Sequence, residues 1–288
     1  KGVGVNPLRG QNNVQGAADM GCQPHQGAGY FPVADEKHQE FYTEKYGVTH
    51  PTKPGLKIPQ MFEAAINKEL KGLWIIGEDI VQTDPNSAHV IEAMNSLELL
   101  VVQEIFMSET AKLATVVLPG TTFLEKDGTF TNTERRIQRV NRAVPPLPGT
   151  KPDGLIVTEM MQKLGFDQPT YDADQVLAEI ADIVPFFKGV TRERLGKFGL
   201  QWPVQEDGTD TKILHTETFK LGKGRLKNFD WKESSEIEAN QKDYPLILTT
   251  SRVLQHYNAA TMTRRTKNIN IVDEDVLLIH PKDAAHRD

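Results

Sequence analysis

Three short apolar runs constrain the fold of this chain more than any other feature. They occupy residues 73–76, 99–102 and 115–118, and helical patterns separate them. Continuous rather than alternating apolar residues are typical of parallel strands that are buried on both faces and connected by helices. The sequence therefore predicts an α/β fold in which a doubly wound parallel sheet occupies residues 59–122.

The helices around these strands have recognisable end signals. Pro59 suits a first helical turn, and Gly72 suits the cap after a last one. Before the next helix, Thr83 or Asp84 can cap while Pro85 opens the helix. These signals place one helix before the first strand and another between the first two strands.

Polar residues and glycine follow each predicted strand. Because ligands bind beyond the carboxyl ends of parallel strands, we expect a nucleotide site at this edge of the sheet. The residues predicted to lie there are Gly77, Glu78, Asp79, Thr83 and Gln103. The carboxylates of Asp79 and Asp84 can accept the paired N–H donors of a guanine edge. Helix capping is the open alternative for Thr83 and Asp84.

A polar loop around a single cation, Arg9, is the second informative stretch. Residues 11–15 include four carboxamides, at positions 11, 12, 13 and 15, and each is both a donor and an acceptor. Gly10 and Gly16 allow a ligand or another backbone segment to approach closely. We expect this loop to line a polar cavity that holds a flat ligand with many hydrogen-bonding groups. The alternative is a loop without a ligand.

One segment closely resembles a known family: it reads RGQNNVQG at residues 9–16 and continues with Asp19-Met20-Gly21. The resemblance is to the catalytic subunit of molybdenum- or tungsten-dependent formate dehydrogenases, which are bis-molybdopterin guanine dinucleotide oxidoreductases. It implies that Arg9 lies beside the metal and holds the substrate carboxylate, and that Gln11 contacts the cofactor. A planar guanidinium would bind both formate oxygens and direct the C–H bond toward the metal centre.

Later segments match the same family in the right order. Gly77-Glu78-Asp79 matches its dinucleotide loop, and residues 123–142 match a segment that lines the cofactor. For Arg135 and Arg136 the sequence leaves two roles open, pyrophosphate contact and internal salt bridges. It favours salt bridges because acidic residues lie nearby in the chain.

The last part of the chain resembles the opening of the family's C-terminal dinucleotide-binding β-barrel. Strands are predicted at residues 244–250 and 276–281. Between them, the resemblance implies that Arg252, His256 and Asn258 contact the pterin or its phosphates. Arginine suits this role because its guanidinium binds two phosphate oxygens at once.

Four segments follow from these patterns. Residues 1–58 form the active-site loop and an irregular segment with a short helix at 36–46. Residues 59–122 form a Rossmann-like dinucleotide-binding α/β unit. Residues 123–210 form the cofactor-lining segment and an irregular helical connector, and residues 211–288 form the truncated start of the β-barrel.

Composition excludes some classes of partner. The 288 residues have a net charge of −6 and a pI near 5.8, so nucleic acid is not an expected partner. No apolar run approaches the ~20 residues needed to cross a bilayer. We expect a cytoplasmic protein without a membrane span.

Cys22 is the only cysteine, so neither a disulfide framework nor a cysteine-rich metal site is expected. The resemblance implies a molybdenum or tungsten bis(molybdopterin guanine dinucleotide) cofactor. It also implies an upstream cysteine or selenocysteine as metal ligand and an upstream iron–sulfur cluster. Because the chain opens on Lys1 without an initiator Met, we expect an internal fragment. Its implied partners are formate and CO2, the remainder of the subunit, and iron–sulfur or flavin electron-transfer subunits.

Three alternatives stay open. The chain can be a pterin-free structural homologue within respiratory NADH dehydrogenase, although such a protein needs no cavity cation flanked by amides. It can be a bis-pterin enzyme that acts on nitrate or another oxyanion. Finally, Arg9 can pair with an internal carboxylate such as Asp19 instead of a substrate.

Overall fold

The computed structural model describes residues 5–287 of the chain. Lys1-Gly2-Val3, the basis for expecting an internal fragment, and Asp288 lie outside the described residues. The chain divides into two compact units. The first unit comprises Lys1–Val81 and Asn86–Thr216, and the second comprises Gln82–Pro85 and Glu217–Asp288.

Short strands and helices alternate along the first unit. The strands are β1 (Gln26–Gly27), β2 (Phe31–Pro32), β3 (Gly72–Ile76), β4 (Leu99–Glu104), β5 (Val116–Pro119), β6 (Gly128–Thr131), β7 (Arg136–Val140) and β8 (Leu200–Gln201). The α-helices along the whole chain are α1 (Val14–Asp19), α2 (Glu36–Tyr46), α3 (Ile58–Ile66), α4 (Ile80–Thr83), α5 (Ser87–Asn95), α6 (Glu109–Lys112), α7 (Asp153–Lys163), α8 (Ala173–Ile183), α9 (Arg192–Leu195), α10 (Ser235–Asn240) and α11 (Pro281–Ala285). Helix α2 has the bounds that the sequence predicts.

Strands β3, β4 and β5 form the predicted parallel sheet. Ile76 lies opposite Gln103, and Glu104 lies opposite Pro119, so the three carboxyl ends lie side by side. The strand order is β3-β4-β5. A doubly wound sheet needs a reversal of order, with a further strand beside β3, and no described strand pairs there. The doubly wound part of the prediction is therefore wrong for residues 5–287.

Only one face of this sheet is fully covered. Leu100 and Val102 are 2% and 0% exposed and pack with helices α3 and α5 in one hydrophobic core. On the opposite face, Ile76 and Val116 are 49% and 42% exposed. The second face is covered only in part, because α3 and α5 pack into the same core; Gln103, which lies on that face beside Ile76, is buried.

Two helix ends differ from their predicted positions. Helix α3 ends earlier, with Asn67 as its C-cap, whereas Gly72 is the first residue of β3. Helix α5 begins after Asn86, whose side chain accepts a backbone hydrogen bond as the N-cap. Thr83 instead ends the short helix α4. Asn86 directly precedes α5, so its side chain can accept from the N–H of His89 in the first helical turn, whereas Thr83 lies three residues further back in the chain.

Strands β6, β7 and β8 form an antiparallel sheet that covers a second core. Ile137 of β7 is fully buried there against Leu177 of α8 and Phe187. Asp172 is the N-cap of helix α8, and its side chain accepts hydrogen bonds from two backbone amides. Met20, directly after α1, packs against this core.

The second unit contains short helical segments, namely α10, α11 and the turns Thr263–Arg265 and Lys267–Asn270. None of its described residues is in a strand, so the strands predicted at 244–250 and 276–281 are not formed. A strand needs a neighbour for its N–H and C=O groups, and no described segment pairs with either run. The β-barrel start therefore stays a prediction.

Candidate functional site

The loop that contains Arg9 is held against the antiparallel sheet. Asn13 precedes α1, and its Oδ1 accepts a hydrogen bond from the backbone N–H of Thr131 at 2.9 Å. Gly16 lies one helical turn later, and a Cβ there would be 2.2 Å from Asn13 Oδ1. The absence of a side chain at Gly16 therefore allows Asn13 to reach β6.

Arg9 is exposed, and one edge of its guanidinium is bound by a neighbour. Its Nε donates to Gln15 Oε1 at 3.2 Å. Within residues 5–287, neither Nη1 nor Nη2 has a hydrogen-bond partner, and no ion pair joins Arg9 to Asp19. The alternative that Arg9 pairs directly with Asp19 is thus not what the structure shows, because Gln15 lies between them. Gln11, the predicted cofactor ligand of this loop, is exposed.

Behind Gln15 lies a buried polar group of four residues, here named the Asp19 network: Gln15, Asp19, Tyr30 and Trp202. Asp19 is 0% exposed. Its Oδ1 accepts from Gln15 Nε2 at 2.8 Å and from the Tyr30 hydroxyl at 2.7 Å, and its Oδ2 accepts from Trp202 Nε1 at 2.9 Å. The sequence offers no signal for the Trp202 contact, since 183 residues separate the two partners.

Burial and hydrogen bonding have opposite effects on the pKa of the Asp19 carboxyl group. Burial raises the pKa of its carboxyl above the ordinary 3.8, and the hydrogen bonds from Tyr30, Gln15 and Trp202 lower it. Burial also raises the pKa of the Tyr30 hydroxyl, and the hydrogen bond to Asp19 adds to that rise. A carboxylate with three donors is a well-satisfied buried acceptor, so the network is a rigid support behind Arg9.

The predicted nucleotide edge has an open loop at the end of β3. Gly77 has φ 65°, a backbone conformation that favours glycine, and a Cβ there would meet nothing within 4 Å. Its N–H donates to the carbonyl of Gln103 at 2.9 Å, which ties the ends of β3 and β4 together. Glu78 is exposed beside it. The loop therefore has room for a ligand.

Asp79 needs a correction. It is 5% exposed, and its Oδ1 accepts from the backbone N–H of Thr110 at 3.0 Å and from the Thr110 hydroxyl at 2.7 Å. That hydroxyl accepts in turn from the backbone N–H of Val81. The carboxylate that the sequence assigns to a guanine edge is used inside the protein, where it joins the loop after β3 to α6.

Gln103, at the end of β4, is buried at the predicted nucleotide edge. It is 1% exposed, and its Nε2 donates to Asp153 Oδ1 at 2.8 Å. Lys126 forms an ion pair with the other oxygen of Asp153. In the part of the chain that the structure describes, Gln103 Oε1 and the hydroxyl of Thr121 are buried without a partner. Such atoms are rare in folded proteins and indicate a missing partner.

Sequence reasoning missed the role of Asp153. Asp153 is the first residue of α7, and its side chain binds Gln103 and Lys126. Local sequence gives no sign of this role because the contact joins distant segments. Helix α7 begins beside the carboxyl end of β4, and Asp153 lies 50 residues after Gln103 in the chain.

The two arginines of the hairpin have different partners. Arg136 Nε pairs with Glu134 at 2.7 Å, which confirms the favoured salt bridge. Arg135 instead donates to the backbone carbonyls of Trp202 and Thr211 and lies over the Trp202 ring, 5.4 Å from its centroid. Arg135 thus holds the segment that supplies Trp202 to the Asp19 network.

In the second unit, two of the three predicted site residues are brought together. Arg252 Nη1 donates to Asn258 Oδ1 at 2.8 Å, and both side chains are exposed. His256 is half-buried, with Nε2 2.7 Å from the carbonyl of Val272 and Nδ1 3.0 Å from the hydroxyl of Thr263. Its ring nitrogens are therefore used within the unit.

No other binding or spanning feature stands out among residues 5–287. No group of three or more His, Cys, Asp or Glu side chains there is arranged to hold a metal ion. None of the helices in this range is long and apolar enough to cross a membrane.

The polar loop, the open end of a parallel sheet and the buried polar atoms that lack partners within residues 5–287 are features of an α/β protein with room for a ligand. A family model for molybdopterin oxidoreductases matches residues 1–163, which is more than half of the chain. The chain belongs to the molybdopterin oxidoreductase family.

Several curated relatives carry formate dehydrogenase names. The chain is 44% identical to the F420-dependent formate dehydrogenase subunit alpha of Methanocaldococcus jannaschii, over 99% of this chain and 42% of that protein. It is 43% identical to F420-dependent formate dehydrogenase 1 subunit alpha of Methanococcus maripaludis, over 98% of this chain and 42% of that protein. It is 41% identical to a putative formate dehydrogenase of Staphylococcus haemolyticus, over 100% of this chain and 29% of that protein. The chain thus spans less than half the length of these relatives.

A solved structure supports the fold. Acetylene hydratase from Pelobacter acetylenicus matches with a TM-score of 0.54 and 20% identity, over 86% of this chain and 37% of that one. At this identity the match concerns the fold alone.

Proposed function

We propose that this chain is part of the catalytic subunit of a formate dehydrogenase, which interconverts formate and CO2. The observation that carries the proposal is the state of Arg9. Gln15 binds its Nε, and within residues 5–287 the two terminal nitrogens have no partner, so they can bind the two oxygens of a carboxylate. The formate dehydrogenase names of relatives at 41–44% identity support the same conclusion.

The buried polar atoms fit a pterin dinucleotide. Gln103 Oε1 and the Thr121 hydroxyl lack partners within residues 5–287, at the edge of a parallel sheet where nucleotides bind. We propose that these two residues, together with the backbone of Gly77 and the backbone and side chain of Glu78, hold the dinucleotide part of the cofactor. Asp79 contributes by shaping the loop. Thr83 stays a proposed contact at the end of α4, and Gln11 a proposed contact near the pterin.

The finer form of the cofactor is also part of the proposal: molybdenum or tungsten held by two molybdopterin guanine dinucleotides, with a metal ligand and an iron–sulfur cluster in other parts of the subunit. When bound, this group supplies the two-electron redox chemistry. The chain supplies orientation, because a planar guanidinium binds both formate oxygens and fixes the direction of the C–H bond. Arg252, His256 and Asn258 are proposed contacts from the second unit. Electrons then pass to iron–sulfur or flavin subunits.

The two terminal nitrogens of Arg9 can also bind nitrate, so the test must distinguish formate from nitrate as the substrate. Arg9→Lys in the full-length subunit keeps the positive charge but loses the planar pair of N–H donors. We expect unchanged metal and pterin content, with kcat/KM for formate lowered roughly ten- to a hundredfold, the value of one charge-assisted hydrogen bond. Arg192→Lys is the matched control, since Arg192 forms an ion pair with Asp174 on the surface.

Three outcomes would contradict the proposal. Unchanged formate kinetics in a metal-replete Arg9→Lys enzyme would exclude Arg9 as the substrate ligand. Turnover of nitrate but not formate by the unaltered subunit would favour the oxyanion alternative. A full-length subunit that retains no pterin would favour the pterin-free alternative.

A further inference from the structure

Gln15 is the one residue of the Asp19 network that also contacts Arg9. Its Oε1 accepts from Arg9 Nε at 3.2 Å, and its Nε2 donates to Asp19 Oδ1 and to the Tyr30 hydroxyl, both at 2.8 Å. Both ends of the amide are therefore used. The side chain is 7% exposed, so water does not compete freely for these bonds.

The orientation of this amide follows from its partners. An ionised carboxylate only accepts hydrogen bonds, so the NH2 group of Gln15 must face Asp19. The carbonyl oxygen must then face Arg9, whose guanidinium only donates. A reversed amide would place two donors against each other at Arg9 and two acceptors against each other at Asp19. The buried carboxylate thus determines which end of Gln15 reaches Arg9.

Binding at Nε has a directional consequence for the guanidinium. Its five N–H donors lie in one plane, and a carboxylate can bind either the Nε–Nη edge or the Nη1–Nη2 edge. Gln15 occupies the Nε–Nη edge through Nε. Within residues 5–287 the Nη1–Nη2 edge has no hydrogen-bond partner and can bind an anion. The position of Asp19 thereby selects the edge of Arg9 that an anion meets.

We propose that Gln15 is a positioning residue for Arg9, which it orients through the Asp19 network so that Nη1 and Nη2 bind a small carboxylate anion. The identity of that anion as formate rests on the proposed function. The orienting role itself rests on the contacts above. Tyr30 and Trp202 hold Asp19 from other sides, and neither is bonded to Arg9.

Three variants of the full-length subunit separate positioning from general stability. Gln15→Met cuts the connection between Arg9 and Asp19. Tyr30→Phe removes two hydrogen bonds of the same network and leaves that connection intact. Gln39→Met is the matched control for a lost carboxamide, because Gln39 Nε2 donates to the Val33 carbonyl at 2.8 Å elsewhere in the first unit.

For Gln15→Met we expect pterin and metal content as in the unaltered protein and a KM for formate that rises roughly ten- to a hundredfold, since a hydrogen bond to a charged group is lost. Tyr30→Phe and Gln39→Met should change KM far less. A merely structural role would lower pterin content and leave KM of the remaining active enzyme unchanged, and that result would overturn the proposal. If Gln15→Met does not fold, Gln15→Asn should give the same rise in KM, because the shorter side chain cannot span both partners.

A binding measurement separates this inference from the proposed function. Titration calorimetry of formate and nitrate into each full-length variant requires no turnover. Weaker anion binding in Gln15→Met than in Tyr30→Phe supports the positioning role even if the unaltered subunit does not oxidise formate, a failure that concerns the proposed function alone. Equal affinities in the two variants, or no anion binding in any of them, would overturn the positioning role.

Discussion

Asn13 Oδ1 accepts a hydrogen bond from the backbone N–H of Thr131 across 118 residues of sequence. Through this bond the loop that contains Arg9 is attached to β6, and β6 is supported by β7 and the second hydrophobic core. The position of Arg9 thus depends on a strand of another segment. Gly16 is necessary for the attachment, because a Cβ there would overlap Asn13 Oδ1.

We predict that Gly16→Ala detaches this loop. The new Cβ would be 2.2 Å from Asn13 Oδ1 and 3.3 Å from Thr131 N, so Asn13 must leave its partner. Overpacking of this kind typically destabilises by about 1–3 kcal/mol. The unfolding temperature and the KM for formate of the full-length subunit should both change. Gly55→Ala, where a Cβ meets only ordinary contacts, is the control, and equal behaviour of the two variants would refute the prediction.

Gln103→Leu should affect cofactor retention more than stability. The change removes a hydrogen bond to Asp153, worth about 1 kcal/mol, but it also removes a buried oxygen without a partner. The two effects oppose each other in the cofactor-free protein, so its thermal unfolding should shift little. Pterin content after purification should fall clearly. A large loss of stability with normal pterin content would make Gln103 a structural residue.

Arg252→Ala should lower pterin content more than the rate per bound metal. Loss of a charge-assisted phosphate contact weakens binding by about 1.5–3 kcal/mol. Arg264→Ala is the control in the same unit, because Arg264 is already paired with Asp275 at 2.9 Å. Pterin content and turnover per metal should be measured together. Normal pterin content with lost turnover would assign Arg252 to catalysis.

The environment of the Glu125 carboxyl group leads us to predict that the stability of the folded chain depends on pH. Hydrogen bonds from the backbone and hydroxyl of Thr122 and from the backbone of Leu147 lower the pKa of its carboxyl below the ordinary 4.5. A lowered folded-state pKa stabilises the fold above the unfolded value, and this contribution is lost as the pH falls through the folded value. Glu125→Gln should therefore lower the unfolding temperature at pH 7, and the difference from the unaltered protein should shrink below about pH 4.5. A difference that is constant with pH would contradict this assignment.

Much of the parallel sheet could be predicted from local patterns. Apolar runs place β3, β4 and β5 within a residue or two, and a glycine or polar residues follow each run where the strand ends. The motif around Arg9 was sufficient to predict the family. These features are encoded within a few neighbouring residues, so periodicity and turn chemistry reveal them.

Contacts between distant segments could not be predicted in this way. Nothing near Asp79 in sequence indicates that its carboxylate accepts hydrogen bonds from Thr110. Likewise, nothing near Gln103 indicates that its side chain donates to Asp153. The strands predicted at 244–250 and 276–281 fail for a related reason. A strand is stabilised by its neighbours, and the local sequence of a strand does not identify which neighbours are present.

The residues of the chain are enough to determine that an arginine lies in a carboxamide-rich loop and that a parallel sheet ends in polar residues. Only the tertiary structure decided which edge of Arg9 is open, because that depends on a buried carboxylate held by Tyr30 and by Trp202 from the far end of the first unit. Hydrogen-bond direction is a property of pairs in space. The sequence states which donors and acceptors exist, and the fold decides which of them meet.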